Sequence, residues 1–173
     1  CRTKGSVMGQ MTRVLRAPNA SSNISPTYYY LTAPMFAASA ELRDALVASE
    51  PVRSVLAMVA KLDLALLSAI DLTEDSKALE YSVISRSDWK SLRAAGAVGD
   101  ICGHYLDAAG NAIAHPLAER VINPTIKSLR AIPLRILAAG GRVKEAIIRA
   151  ALKARLCHVL ITDEAAAANL VDG

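Results

Sequence analysis

Two glycines followed three positions later by a lysine, Gly140, Gly141 and Lys144, are the residues of this chain best placed for chemistry. They follow an apolar run and open a helical pattern. Glycines let the backbone approach an anion closely, and a helix N-terminus presents unpaired N–H groups with partial positive charge. Lys144 stands against the helix dipole there, a placement that an anionic partner compensates. The plain alternative is a Gly-Gly turn beside a solvated lysine. Asp100, between Gly99 and Ile101, can hydrogen-bond a hydroxylated ligand, although Asp beside Gly is also ordinary turn chemistry. Two further polar segments, residues 71–76 (DLTEDS) and 162–164 (TDE), follow predicted strands, at the ends where open α/β sheets collect ligands. His104, His115 and His158 lack metal-ligand spacing, and Cys1, Cys102 and Cys157 form no CxxC, so neither a metal site nor a disulfide framework is expected. There is no P-loop, GxGxxG or GxSxG. Nucleophilic catalysis has no local signature, and no cofactor is expected.

Such a site needs strands that end together at one edge. The chain has 173 residues, enough for one domain that buries roughly 70% of the surface its unfolded chain exposes. Hydrophobic residues make up 53% and charged residues 21%, which excludes wholesale disorder. Alanine supplies 32 residues, while Trp89 and Phe36 are alone of their types, a composition suited to helices packed closely on a sheet. The net charge of +4 is spread along the chain and leaves no nucleic-acid footprint. The longest apolar run, residues 64–70, is far short of a membrane span, and no signal peptide is visible. Without an initiator Met, the chain reads as a fragment of a longer cytoplasmic protein.

The clearest pattern lies in the last third. Residues 134–139 read as a strand, Val143, Ala146, Ile147, Ala150, Ala151 and Ala154 stripe one helix face, and residues 157–162 (CHVLIT) read as a buried strand. Thr162 or Asp163 can cap a final helix over 164–170. This is a βαβ unit of a parallel sheet. Residues 62–70 (LDLALLSAI), apolar almost throughout, predict another strand, buried between helices on both faces. Ser39 and Pro51 open two helices, and Ser85 with Asp88 has the spacing of a capping box. Residues 97–106 and 113–122 suggest an antiparallel excursion. Residues 28–33 have strand composition and residues 5–11 that of a short strand, whereas 1–27 as a whole form a loop-rich entry. The two sequons at Asn19 and Asn23 carry no meaning in a cytoplasmic protein. The expected class is α/β, with a mainly parallel sheet.

The run Ala94-Ala95-Gly96-Ala97-Val98-Gly99-Asp100-Ile101-Cys102-Gly103, with Asp107 and Gly110 beyond it, resembles the signature of SorC-type sugar-responsive transcriptional regulators. So do three collinear blocks: Leu31, Ala33 and Pro34 with the Glu41-Leu42-Arg43 helix; Ala138 to Ile147 around Gly140, Gly141 and Lys144; and Leu160 to Ala165. The similarity covers residues 28 to 173. It implies a Rossmann-like effector-binding domain similar to the sugar-phosphate isomerase fold, which responds to a phosphorylated sugar, polyol or related metabolite by altering operator binding. On this chain the resemblance assigns Asp100 to ligand hydroxyls, Lys144 with Gly140 and Gly141 to the phosphate, and Asn19 and Asn23 to a polar loop near the pocket. The family's helix-turn-helix and early phosphate loop are missing from the sequence. The expectation is therefore one effector-binding fragment over 1–173, contacting operator DNA only through the missing domain. It carries no enzyme activity and no membrane contact, and assembles as a homo-oligomer, a dimer or tetramer, when intact. The alternatives are a small sugar-phosphate isomerase-like enzyme, or a purely structural oligomerisation domain.

Overall fold

Residues 62–70 form two strands rather than one, and the architecture follows from that break. The computed structural model describes residues 29–171. β1 (Leu64–Leu67) pairs in parallel with β5 (Leu134–Ala138), which pairs in parallel with β6 (Val159–Ile161). After Ser68 the chain leaves this sheet, and β2 (Ala69–Asp71) pairs antiparallel with β3 (Ala97–Ile101), itself paired with β4 (His104–Asp107). Among the described residues two three-stranded sheets result, one parallel and one antiparallel, so the sheet structure there is not mainly parallel.

The helices are α1 (Ala40–Ala48), α2 (Glu50–Met58), α3 (Lys77–Glu80), α4 (Arg86–Ala94), α5 (Ile126–Arg130), α6 (Glu145–Lys153) and α7 (Glu164–Val171). Their starts follow the sequence. Ser39 Oγ accepts from the Leu42 N–H, and Ser85 Oγ accepts from the Asp88 N–H and donates to Asp88 Oδ2. Pro51 sits in the first turn of α2. The strand predicted over 28–33 does not form in its described part, residues 29–33, nor does the one predicted over 113–122. The second stretch makes single bridges, Leu106 with Ala112 and Phe36 with Val121, around a 3₁₀ turn at Pro116–Glu119. Pro116 has no N–H for a ladder, and His115 Nδ1 accepts from the Leu117 N–H, which starts the turn instead. His158, expected in a buried strand, is exposed in the loop before β6.

α6 holds the two sheets together. Its Ile147 and Ile148 are fully buried with Leu67, Leu137, Ile101 and Leu106, which belong to both sheets. Gly99 makes the contact possible: a Cβ there would meet Ile70 O at 2.5 Å and Ile147 Cβ at 2.6 Å. The far side of the antiparallel sheet forms a second core around Trp89, Leu92 and Tyr105. There Trp89 Nε1 donates to the carbonyls of Leu72 and Thr73. A third cluster joins Ala37, Val52 and Ile122. Among the described residues, helices cover one face of the parallel sheet, not the two expected.

Candidate functional site

β5 and β6 run side by side, so the segments after them meet at the carboxyl edge of the parallel sheet. The Ala139 N–H donates to Ile161 O at 3.0 Å there. Asp163 then joins the two loops. Its Oδ1 accepts from the Ala166 N–H at 3.0 Å, capping α7, and its Oδ2 accepts from the Gly141 N–H. A Cβ at Gly140 would run into Asp163 Oδ2, and Gly141 has φ +92°, a conformation that disfavours side chains. Both glycines therefore have a local reason: the anion they hold is the protein's own carboxylate. These hydrogen bonds, Ala166 first and Gly141 second, keep the Asp163 carboxyl below the usual carboxylate range.

Lys144 ends a 3₁₀ turn, Arg142–Lys144, that leads into α6, and its N–H donates to Gly141 O at 2.9 Å. Its side chain is half-buried and has no hydrogen bond or ion pair among the described residues. Thr162 Oγ1, on the neighbouring loop, is buried without a hydrogen-bond partner. Buried polar atoms are nearly always paired, so an orphan hydroxyl at this edge marks a place suited to a polar ligand. Residues 162–164 lie at this edge as expected, but the clasp between Asp163 and Gly141 is new. Its only trace in the sequence is an Asp directly after the strand that neighbours the Gly-Gly strand.

Asp100 lies elsewhere. It sits in β3 opposite Tyr105 of β4, on the side of the sheet away from the Gly99 contact with α6. It is buried, and its Oδ2 accepts from the Gly103 N–H at 2.8 Å. Cys102 and Gly103 both have positive φ, +53° and +78°, as a two-residue type I′ hairpin requires. Burial pushes the Asp100 carboxyl up to about 7 against the opposing effect of the Gly103 hydrogen bond. Burial, then the Asp100 charge, also raises the Tyr105 hydroxyl. No hydrogen bond links Asp100 to the segment carrying Gly140, Gly141 and Lys144.

Residues 71–76 follow an antiparallel strand and so do not join the parallel edge. Asp71 instead accepts from the Thr73 N–H at 2.9 Å and closes its own loop. Asn19 and Asn23 lie outside the described residues. A cavity of about 590 Å³ opens between the Phe36 strap, the start of α4 and Arg120, and none of the expected site residues lines it. No helix among the described residues is long and apolar enough to cross a membrane.

Residues 5–172 match the family described as "Putative sugar-binding domain". Over 140 residues the chain is 31% identical to the transcriptional regulator LsrR of Enterobacter sp. (strain 638), covering 79% of this chain and 43% of that protein. A DeoR family transcriptional regulator from Listeria monocytogenes superposes with a TM-score of 0.77 at 26% identity, over 82% of this chain and 57% of the other. The full-length sorbitol operon regulator SorC from Klebsiella pneumoniae shares the fold, with a TM-score of 0.72 at 24% identity, over 79% of this chain and 45% of that one. The chain spans less than half the length of the curated relative it matches. These relatives are regulators of transcription, not enzymes. The family match runs across nearly the whole chain and the α/β fold agrees with it: the chain belongs to the sugar-binding domain family to which its SorC-type motifs pointed.

Proposed function

We propose that this chain is the effector-binding part of a sugar-responsive transcriptional regulator. Its effector is a phosphorylated sugar, polyol or related metabolite, held at the carboxyl edge of the parallel sheet. One observation carries the reading: among the described residues the Lys144 ammonium has no hydrogen-bond or ion-pair partner, and the Thr162 hydroxyl at the same sheet edge is also unpaired. A phosphate at this edge offers an acceptor to both. The Asp163 carboxylate already occupies the Gly141 N–H, so the phosphate sits beside Lys144 and α6 rather than in the Gly-Gly turn. Asp100 serves ligand hydroxyls from the antiparallel sheet, a role that rests on the motif resemblance. The likeness to sugar-phosphate isomerases extends to the fold alone. In the full-length regulator, effector binding shifts operator affinity through a separate DNA-binding part, and the assembly is a symmetric oligomer that mirrors the operator's two-fold symmetry.

The test is calorimetry with hexose and hexitol 6-phosphates and their dephosphorylated parents, on the wild type and on Lys144→Met. A charge-assisted hydrogen bond contributes roughly 1.5–3 kcal/mol, so the substitution lowers affinity for the phosphorylated ligand about 10- to 150-fold. Affinity for the parent polyol does not move. Equal affinities of both proteins for the phosphorylated ligand remove Lys144 from the site.

A further inference from the structure

The cavity beside the Phe36 strap takes no part in the site described above, since neither Asp100 nor Lys144 lines it. Backbone pairing fixes one wall. The Ala37 N–H donates to Arg120 O at 2.8 Å and the Ile122 N–H to Met35 O at 2.8 Å, so the strap and the segment after the 3₁₀ turn lie antiparallel. That pairing brings the Arg120 side chain to the cavity. The opposite wall is the link between α3 and α4. It starts at Ser82, whose N–H donates to Leu79 O while the Val83 N–H donates to Ala78 O, and it ends at the Ser85 cap. Phe36, Ile84 and Leu117 give the cavity an apolar lining.

Arg120 is the polar group there with the fewest partners for its donors. Its side chain is 27% exposed, yet Nε is buried without a hydrogen-bond partner among the described residues. Nη1 reaches Ala38 O only at 3.4 Å, and Nη2 lies 3.8 Å from Asp88 Oδ2, too far for a hydrogen bond. That oxygen already accepts from Ser85 Oγ at 2.6 Å. A guanidinium carries five N–H donors in a planar fork, and buried donors are nearly always satisfied. Arg86, on the same cavity, adds a second guanidinium. It lies over the Trp89 ring, 6.0 Å from the centroid, and has no hydrogen bond or ion pair among the described residues.

We propose that this cavity binds a small apolar monocarboxylate, with its carboxylate on the Arg120 fork and its hydrocarbon body against Phe36, Ile84 and Leu117. Shape and charge select that class. A carboxylate accepts two parallel N–H bonds from a guanidinium, which matches the donors that Arg120 leaves unused. The volume of about 590 Å³ lies within the range of small-molecule sites. Two guanidiniums against the Asp88 carboxylate leave one net positive charge, the complement of a monoanion. A phosphate dianion brings one negative charge too many and meets Asp88 directly. The site is separate from the edge proposed for the phosphorylated effector, so either can fail alone.

Methyl NMR of the full 173-residue chain tests this, with titrations of phenylacetate, isovalerate, phenylacetamide and glucose 6-phosphate. At least one of the two carboxylates is expected to shift the Ala37, Ile84 and Leu117 methyl signals saturably. Phenylacetamide, of the same shape as phenylacetate without the charge, binds there about tenfold more weakly or worse. Arg120→Gln lowers affinity for the carboxylate roughly 10- to 150-fold. Asp88→Asn raises it several-fold. A damaged fold cannot produce that gain, so this variant decides the matter should Arg120→Gln unsettle the strap. Glucose 6-phosphate leaves these three methyls in place. Four results overturn the proposal: no saturable shift with either carboxylate, equal affinity for phenylacetate and its amide, unchanged affinity in both variants, or tighter binding of glucose 6-phosphate than of the carboxylates at these methyls. The last outcome assigns the cavity to a phosphate.

Discussion

Asp100 is a carboxyl that the fold holds where ionisation is unfavourable. It is buried between β2 and β4, and only the Gly103 N–H stabilises its charge. Its folded value, about 7, lies above the ordinary ~3.9 of an unfolded chain. The protonated form thus favours the folded state. That contribution is fully present below about pH 4 and is lost as the pH rises through about 7. Asp100→Asn, neutral and of the same shape, removes this dependence. The variant is expected to match the wild type near pH 3 and to exceed it at pH 8 by a few kcal/mol, on the order of 2–4. Urea unfolding across that range measures the difference, and parallel curves at both pH values exclude it. If Asp100 also binds effector hydroxyls, the same variant gains stability and loses affinity, the usual exchange at a functional site. By type and neighbours, Asp100 reads as either a turn residue or a ligand contact. The fold bears out the turn, because a hydrogen bond to Gly103 is a local matter that a ten-residue window can hold.

Elements with a local cause are legible in the amino-acid sequence. The caps at Ser39, Ser85 and Asp163 depend on neighbours within three residues, and each forms. The unit of β5, α6 and β6 announces itself by apolar spacing, and its strands pair in parallel. The break at Ser68 is not legible, since residues 62–70 are apolar on either side of it and only their partners, about 30 and 70 residues away, decide the sheet. For the same reason the clasp of Asp163 on Gly141, 22 residues apart, leaves no signal beyond residue type. Gly99 belongs to this scale as well. It reads as part of a family motif, yet its physical reason is the close approach of α6. Gly99→Ala brings a methyl group against backbone and a packed Ile147, neither of which yields easily. Overpacking of this kind costs roughly 1–3 kcal/mol. The denaturation midpoint of Gly99→Ala should fall accordingly, whereas Gly96→Ala, with open space around it and φ +87°, reports backbone strain alone.

At the scale of the molecule, α6 decides whether the two sheets act as one body. It carries Ile147 and Ile148 into a core shared by both sheets, and Lys144 stands one turn before Ile147. An effector that grips Lys144 therefore pulls on the element that both sheets contact. This arrangement predicts a single unfolding transition. Trp89, in the core on the far side of the antiparallel sheet, reports that half by fluorescence. Hydrogen exchange of the β1 and β5 amides reports the parallel half, and the two should give coincident midpoints. Ile147→Ala removes a fully buried side chain at the junction and costs roughly 2–5 kcal/mol. Because Ile147 touches Gly99 of one sheet and shares its core with Leu137 of the other, both probes should shift together by the same amount. A variant in which the Trp89 midpoint falls while the β1 and β5 amides keep theirs would mean that the sheets unfold separately. In that case a signal from Lys144 has no rigid path through α6 to the antiparallel half, and Asp100 and Lys144 would have to sense the effector independently.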